Sequence, residues 1–185
     1  MSHSALMGAQ TTGAGPETSR QDNKGLRGVP ASHDMAQTDL GRMNQYKSII
    51  TQVGNAKGVD PAIIAGIISR ESRAGNALDS NGCGDHGNAF GLMQVDKRHH
   101  RLIGEWNSKE HLSHATHILT GFIQDIRRKF PRGTASEQLK GGLAAYNQGP
   151  GAVDSLSAVD ANTTGRDYSN DVIARAQWYS NYGDF

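Results

Sequence analysis

The feature that most constrains this chain is the run Ala62-Ile63-Ile64-Ala65-Gly66-Ile67-Ile68, which stops abruptly at Ser69-Arg70-Glu71. The run is far short of the ~20 apolar residues that span a bilayer, so protein must bury it. Asp60-Pro61 before it supplies an N-cap acceptor and the residue best tolerated at the first helical position. The spacing predicts a helix to about Ala74, with Gly75 as its stop. Ile64, Ile67, Ile68 and Glu71 fall on one face, because Glu71 follows Ile67 by four residues and Ile68 by three. Its carboxyl therefore shares the face that seeks the core, where burial and the negative helix end both favour the protonated form. A proton kept to near neutral pH is what a glycosidic general acid needs. The competing reading is a surface glutamate neutralised by Arg70 or Arg73, although Arg73 faces elsewhere on the helical wheel.

The rest of the chain reads as helices around one small patch of strand. Residues 1–33 are rich in Gly, Ser, Thr and Gln, the composition of a flexible N-terminal extension in which no catalysis is expected. Residues 34–185 are predicted to form a single catalytic domain. Within it Leu40, Met43, Tyr46, Ile50 and Val53 form one apolar stripe, predicting a helix that ends near Gly58. A long helix is predicted from Asn107, with Glu110 reaching back to its start, to Pro131, which ends it. Thr134 and Glu137 repeat that capping spacing ahead of Leu139, Leu143 and Tyr146, and a last helix covers Asp167 to about Tyr182. Phe90 to Val95 is the one convincing extended segment, half of a small hairpin or sheet. The fold class is α+β, predominantly α-helical.

Between Leu78 and Asn88 the chain is dense in Gly, Asn and Asp. Asp79-Ser80-Asn81-Gly82-Cys83-Gly84-Asp85 suggests a calcium loop, but Cys83 occupies its fifth position and Phe90 stands where a bidentate glutamate belongs. The better reading is a glycine-enabled turn that presents Asp85 beside the extended segment, with Asp96 at its far end. Inverting glycoside hydrolysis needs a second carboxylate about 6.5–9.5 Å from the acid to hold and deprotonate a water. Asp85 and Asp96 are the candidates, set against the alternative that each caps a turn.

Composition narrows the partners. Lys plus Arg number 19 against 18 Asp plus Glu, which argues for neither a nucleic-acid surface nor an acidic tail. Cys83 is the single cysteine, so no intramolecular disulfide can form and stability rests on packing. Met1 to Gly8 shows no charged segment followed by an apolar one, so no secretory leader is read there. His111, His114 and His117 recur every third residue, which fans them round a helix as solvent-facing side chains instead of stacking them as metal ligands. Asn162-Thr163-Thr164 is a glycosylation sequon that matters only on the secretory route.

Three segments closely resemble goose-type lysozymes: Ile67-Ile68-Ser69-Arg70-Glu71-Ser72, the stretch from Gly84-Asp85-His86-Gly87 through Phe90-Gly91-Leu92-Met93-Gln94-Val95-Asp96-Lys97-Arg98, and Gly141-Gly142-Leu143-Ala144-Ala145-Tyr146-Asn147. Similarity continues to Tyr168-Ser169-Asn170-Asp171-Val172, so it covers roughly residues 40–182. The resemblance implies the lysozyme-like fold shared with lytic transglycosylases. It also implies hydrolysis, with inversion, of the β-1,4 bond between N-acetylmuramic acid and N-acetylglucosamine in bacterial peptidoglycan, and with it an antibacterial role. The family's acid matches Glu71 and its water-positioning carboxylates match Asp85 and Asp96. Gln94, His100, Phe122, Tyr146, Asn147 and Tyr168 match residues that line its saccharide cleft. Aromatic faces and amides suit sugars, which offer C–H faces and hydroxyl networks.

The resemblance implies a monomer that binds peptidoglycan and chitooligosaccharides and uses no cofactor, metal, nucleic acid or membrane. Avian members carry paired cysteines towards the N-terminus, whereas this chain has Gly58 where one would stand, so it looks like the fish-type branch. Family resemblance points to a secreted or phagolysosomal location, and the unread leader to a cytoplasmic one. Two rival functions stay open: a lytic transglycosylase, which traps the sugar's own hydroxyl to give 1,6-anhydro ends, and a non-catalytic saccharide-binding module.

Overall fold

Asp60 accepts the Ala62 amide at 2.9 Å and Pro61 takes the first helical position, so the apolar run becomes a helix at the point its sequence marks. The computed structural model describes residues 3–185. In chain order its helices are α1 (His3–Met7), α2 (Pro16–Ser19), α3 (Gly28–Met43), α4 (Lys47–Lys57), α5 (Pro61–Ser72), α6 (Lys109–Lys129), α7 (Ala135–Gln148) and α8 (Tyr168–Tyr182). Between α5 and α6 lie β1 (Cys83–Gly84), β2 (Ala89–Phe90) and β3 (Val95–Asp96), which pair antiparallel in that order. Cys83 faces Phe90 and Gly84 faces Ala89 across the first ladder, while Ala89 faces Asp96 and Phe90 faces Val95 across the second. The mainly helical α+β class with one small sheet is as the sequence predicts.

Helix α5 is the central element. Ile63, Ile64, Ile67 and Ile68 are all fully buried, each contributing about 1.5–3 kcal/mol relative to exposure. Helices α3, α4 and α8 pack around it. The approach of α8 is close: a Cβ on Gly66 would stand 2.9 Å from the Val172 carbonyl oxygen and 3.0 Å from the Ala176 Cβ.

Several boundaries differ from the sequence expectation. The single helix expected up to Gly58 is broken by a 3-10 turn at Asn44–Tyr46. The segment before the break packs on α8 and the segment after it on α6, which one straight helix could not do. The cap expected at Asn107 is one residue later, where the Ser108 hydroxyl accepts the His111 amide. Helix α5 ends at Ser72 and not at Ala74, because Arg73 takes the left-handed cap conformation (φ 52°) with its guanidinium held by Asp22 and Asp39. The extended segment expected over Phe90–Val95 is two short strands around a turn, with left-handed backbone at Gly91 (φ 80°) and Gln94 (φ 53°). The capping box at Thr134 and Glu137 is present as expected.

The loosely docked extension expected over residues 1–33 is instead built into the fold; residues 1 and 2 lie outside the described residues. Leu6 is fully buried in the main core, and the expected boundary at 33 falls inside α3. Polar anchors explain why so few large apolar residues suffice. Gln177 donates to the carbonyls of Leu6 and Ala9, Asp167 accepts the Gly15 amide, and Asp22 receives both terminal nitrogens of Arg73.

Gly66→Ala should lower the unfolding free energy by about 1–3 kcal/mol in urea titration, through forced separation of α5 and α8. Gly121→Ala, where an added Cβ meets nothing within 4 Å on the exposed side of α6, should raise it by about 0.5–1 kcal/mol.

Candidate active site

A cleft of about 750 Å³ runs between the end of α5 and the small sheet, and the nine residues singled out from the sequence all line it. Helix α5 contributes Glu71, α7 contributes Tyr146 and Asn147, α6 contributes Phe122 and α8 contributes Tyr168. Asp85, Gln94, Asp96 and His100 come from the sheet and its connections.

Glu71 sits on the last turn of α5, partly exposed to the cleft and otherwise enclosed by protein. The Tyr168 hydroxyl donates to its Oε2 at 2.9 Å. Burial pushes the carboxyl up to about 7, against the downward pull of the Tyr168 hydrogen bond and the Arg70 charge. The alternative of a surface glutamate neutralised by its neighbours fails on geometry. Arg70 is bound to Asp167 and Asp171, at 3.0 and 2.9 Å, and Arg73 to Asp22 and Asp39. A buried carboxyl with no ion-pair partner keeps its proton where an exposed one would lose it.

The opposing carboxylates are in a different electrostatic state. Arg98 grips Asp96 with two parallel hydrogen bonds of 3.0 and 2.7 Å, and the Arg98 amide donates to the same carboxylate. These bonds hold Asp96 down to about 2, so it is ionised at any working pH. Asp85 is more exposed and meets Arg98 only at 3.8 Å. It stands on left-handed backbone (φ 50°), as does His86 after it (φ 54°), a conformation that aspartate tolerates better than most residues. The turn expected to present Asp85 is stitched by Asp79, whose Oδ1 accepts the amides of Asn81 and Cys83.

The other lining residues hold the cleft in shape with their polar atoms. Tyr146 donates its hydroxyl to the Met93 carbonyl at 2.7 Å, Gln94 donates to the Ala89 and Gly91 carbonyls, and Asn147 accepts the Thr164 amide. What the partly exposed Tyr146 and Phe122 offer the cleft is therefore chiefly their faces, whereas the buried Tyr168 offers its hydroxyl to Glu71. Burial raises both tyrosine hydroxyls well above their ordinary value, and the Glu71 carboxyl adds to this, so both remain donors.

The histidine triplet departs from the expectation of solvent-facing side chains. His111 is buried, its Nε2 accepts the Met93 amide at 3.0 Å, and its ring fills the space where any Cβ on Gly91 would go. It is a pillar under the turn that carries Gln94. Edge-on contact places His114 against the cleft residue His100, with ring centroids 6.3 Å apart, and His117 is exposed.

Sequence reasoning missed Arg98, which links the two aspartates, and the Asp167 and Asp171 partners of Arg70. The signal for the latter was available: Asp167, Asp171 and Arg175 recur every four residues, the first at the N-cap of α8 and the other two on one stripe of it.

The chain matches the family model described as Lysozyme g over residues 3–183. It is 54% identical over 173 residues to "Lysozyme G" of Dromaius novaehollandiae, covering 94% of this chain and 84% of that one. It is 53% identical over 190 residues to "Lysozyme g" of Takifugu rubripes (99% and 100% covered) and 52% identical over 195 residues to that of Epinephelus coioides (100% of each).

Burial drives His111 down to about 4 from 6.5, with the neighbouring His114 charge adding to the effect. Between those two values the unfolded chain binds more protons than the folded one. Stability is therefore intact above pH 6.5 and falls as pH drops through 4, by about 3 kcal/mol in all. Urea unfolding of wild type and His111→Gln at pH 7.5, 5.5 and 4 should show the difference between the two shrinking or reversing with acid. A constant difference would exclude the titration.

Proposed function

The chain belongs to the lysozyme g family and is a glycoside hydrolase of the lysozyme kind, and from that premise we propose that it cleaves peptidoglycan with Glu71 as general acid and with inversion. The bond is the β-1,4 link between N-acetylmuramic acid and N-acetylglucosamine. The observation that carries this reading is the desolvated Glu71 carboxyl across one cleft from two ionisable aspartates.

The glycan lies along the cleft, with sugar C–H faces against Tyr146 and Phe122. Protonated Glu71 gives its proton to the leaving glycosidic oxygen as the C1–O bond breaks. A water held between Asp85 and Asp96 attacks C1 from the opposite face and loses its proton to a carboxylate. Asp85 is the better acceptor, because Arg98 engages both oxygens of Asp96 and lowers its basicity. Asp96, held in place by Arg98, then orients the water, and the carboxylates steady the developing oxocarbenium charge. Gln94, Asn147 and His100 shape the walls and contact the hydroxyl and acetamido groups of bound sugar. Chitooligosaccharides share those groups and bind in the same cleft. The protein works as a monomer, as the resemblance to goose-type lysozymes implies.

Glu71→Gln should reduce lysis of Gram-positive cell walls by about 10²–10⁴-fold with the fold intact by circular dichroism. Wild-type activity should fall as pH rises through about 7, where Glu71 loses its proton. Proton NMR of freshly cleaved chitooligosaccharide should show the α-anomer first. Undiminished lysis by Glu71→Gln would remove the acid assignment, a β-anomer would remove inversion, and 1,6-anhydro ends in digested peptidoglycan would replace hydrolysis with transglycosylation.

A further inference from the structure

Glu71 follows one arginine and precedes another by two residues, an awkward setting for a group that must stay protonated. Each arginine is turned away into a buried network of balanced charge. Arg70 donates to Asp167, to Asp171 and to the Thr164 carbonyl, with its guanidinium over the Tyr168 ring at 5.2 Å. Asp171 is shared with Arg175 and accepts from Ser32. Arg175 reaches Ser69, whose hydroxyl donates to Asp39, and Asp39 also receives Arg73 and Arg42. Asp22 completes the pairing of Arg73. Four arginines thus meet four aspartates, among which Asp39, Asp171 and Arg175 have no exposed surface.

We propose that Asp167 is a positioning residue for the reaction, which neutralises Arg70 and so sets the pH at which Glu71 gives up its proton. The proposal rests on the reading of Glu71 as general acid. Asp167 is the member best suited to the task. Asp171 answers to two arginines, whereas among the described residues the one cation on Asp167 is Arg70; its second oxygen takes the Gly15 amide. The contact also gives the N-terminal segment a part in the chemistry, because Gly15 orients the carboxylate that screens Arg70.

The other groups facing Glu71 act on it differently. From α8 and α7 come the hydroxyls of Tyr168 and Tyr146, both neutral. Across the cleft, Asp85 and Asp96 face Arg98, and His99 and His100 line the same side. His111 and His114 of α6 stand behind the sheet turn, where burial keeps both below their ordinary value. The larger downward pull on Glu71 is the Tyr168 hydrogen bond and the Arg70 charge adds to it; Arg70 is the cation next to the acid, so its screening sets that second contribution.

The test is a pH–activity profile on soluble peptidoglycan fragments, with a parallel NMR titration of carboxyl-labelled glutamate. Asp167→Asn keeps the shape and removes the charge. It should move the alkaline limb, and the Glu71 titration with it, down by about one pH unit. Arg70→Gln should move both in the opposite direction, and the double variant should return them towards wild type. A structural role alone would lower the amplitude in all three while leaving the limb in place, and that result overturns the proposal. Glu71→Gln, run alongside, separates the two ideas. If it is inactive and Asp167→Asn leaves the limb unmoved, only the role of Asp167 fails. If it is active, the assignment of the acid fails first.

Discussion

A single carboxyl largely enclosed by protein at the end of a buried helix is the constraint around which the rest of this molecule is arranged. Glu71 could not hold a proton near neutrality on an exposed helix, where a carboxyl titrates at about 4.3. Helix α5 supplies the setting because its isoleucines bind it into the core on every side. The same burial brings α8 close enough for Tyr168 to reach the carboxyl. Packing and chemistry are therefore one problem here, and the small residue at Gly66 serves both by letting the two helices meet.

The cost of the arrangement is charge in the interior. Arg175, Asp39 and Asp171 are fully buried, and breaking such a pair by removing one partner costs about 3–5 kcal/mol. Replacing them all by apolar side chains would be the simpler route to stability. Retaining them makes sense under the proposed role of Glu71, since two arginines border it and the network turns their charge elsewhere. The network also ties α3, α5, α8 and the segment before α3 into one unit, so a chain whose one cysteine is Cys83 holds its N-terminal region by hydrogen bonds and ion pairs.

The facing wall follows another logic. The sheet is only two residues per strand, and its turn is held from outside itself, by His111 beneath, by Tyr146 from α7 and by Ser72 from α5, whose hydroxyl donates to the Leu92 carbonyl. Such a turn can adopt left-handed backbone at Gln94 because neighbouring elements over-determine it. Two aspartates that share one arginine line the same cleft as Glu71.

Local pattern was enough to place α5 and its cap, the stripe carrying Glu71, the capping box of α7, the mixed helical class and the residues of the cleft, because each depends on neighbours within a few positions or on motifs seen in goose-type lysozymes. Tertiary structure alone decided the rest. The docking of residues 3–33, the burial of His111, the left-handed cap at Arg73 and the pairing of Arg70 with Asp167 join groups up to 171 residues apart. The physical reason is range. Helix propensity and amphipathic period act over one or two turns, whereas the charge state of a buried group is set by whatever the fold brings within a few ångströms of it.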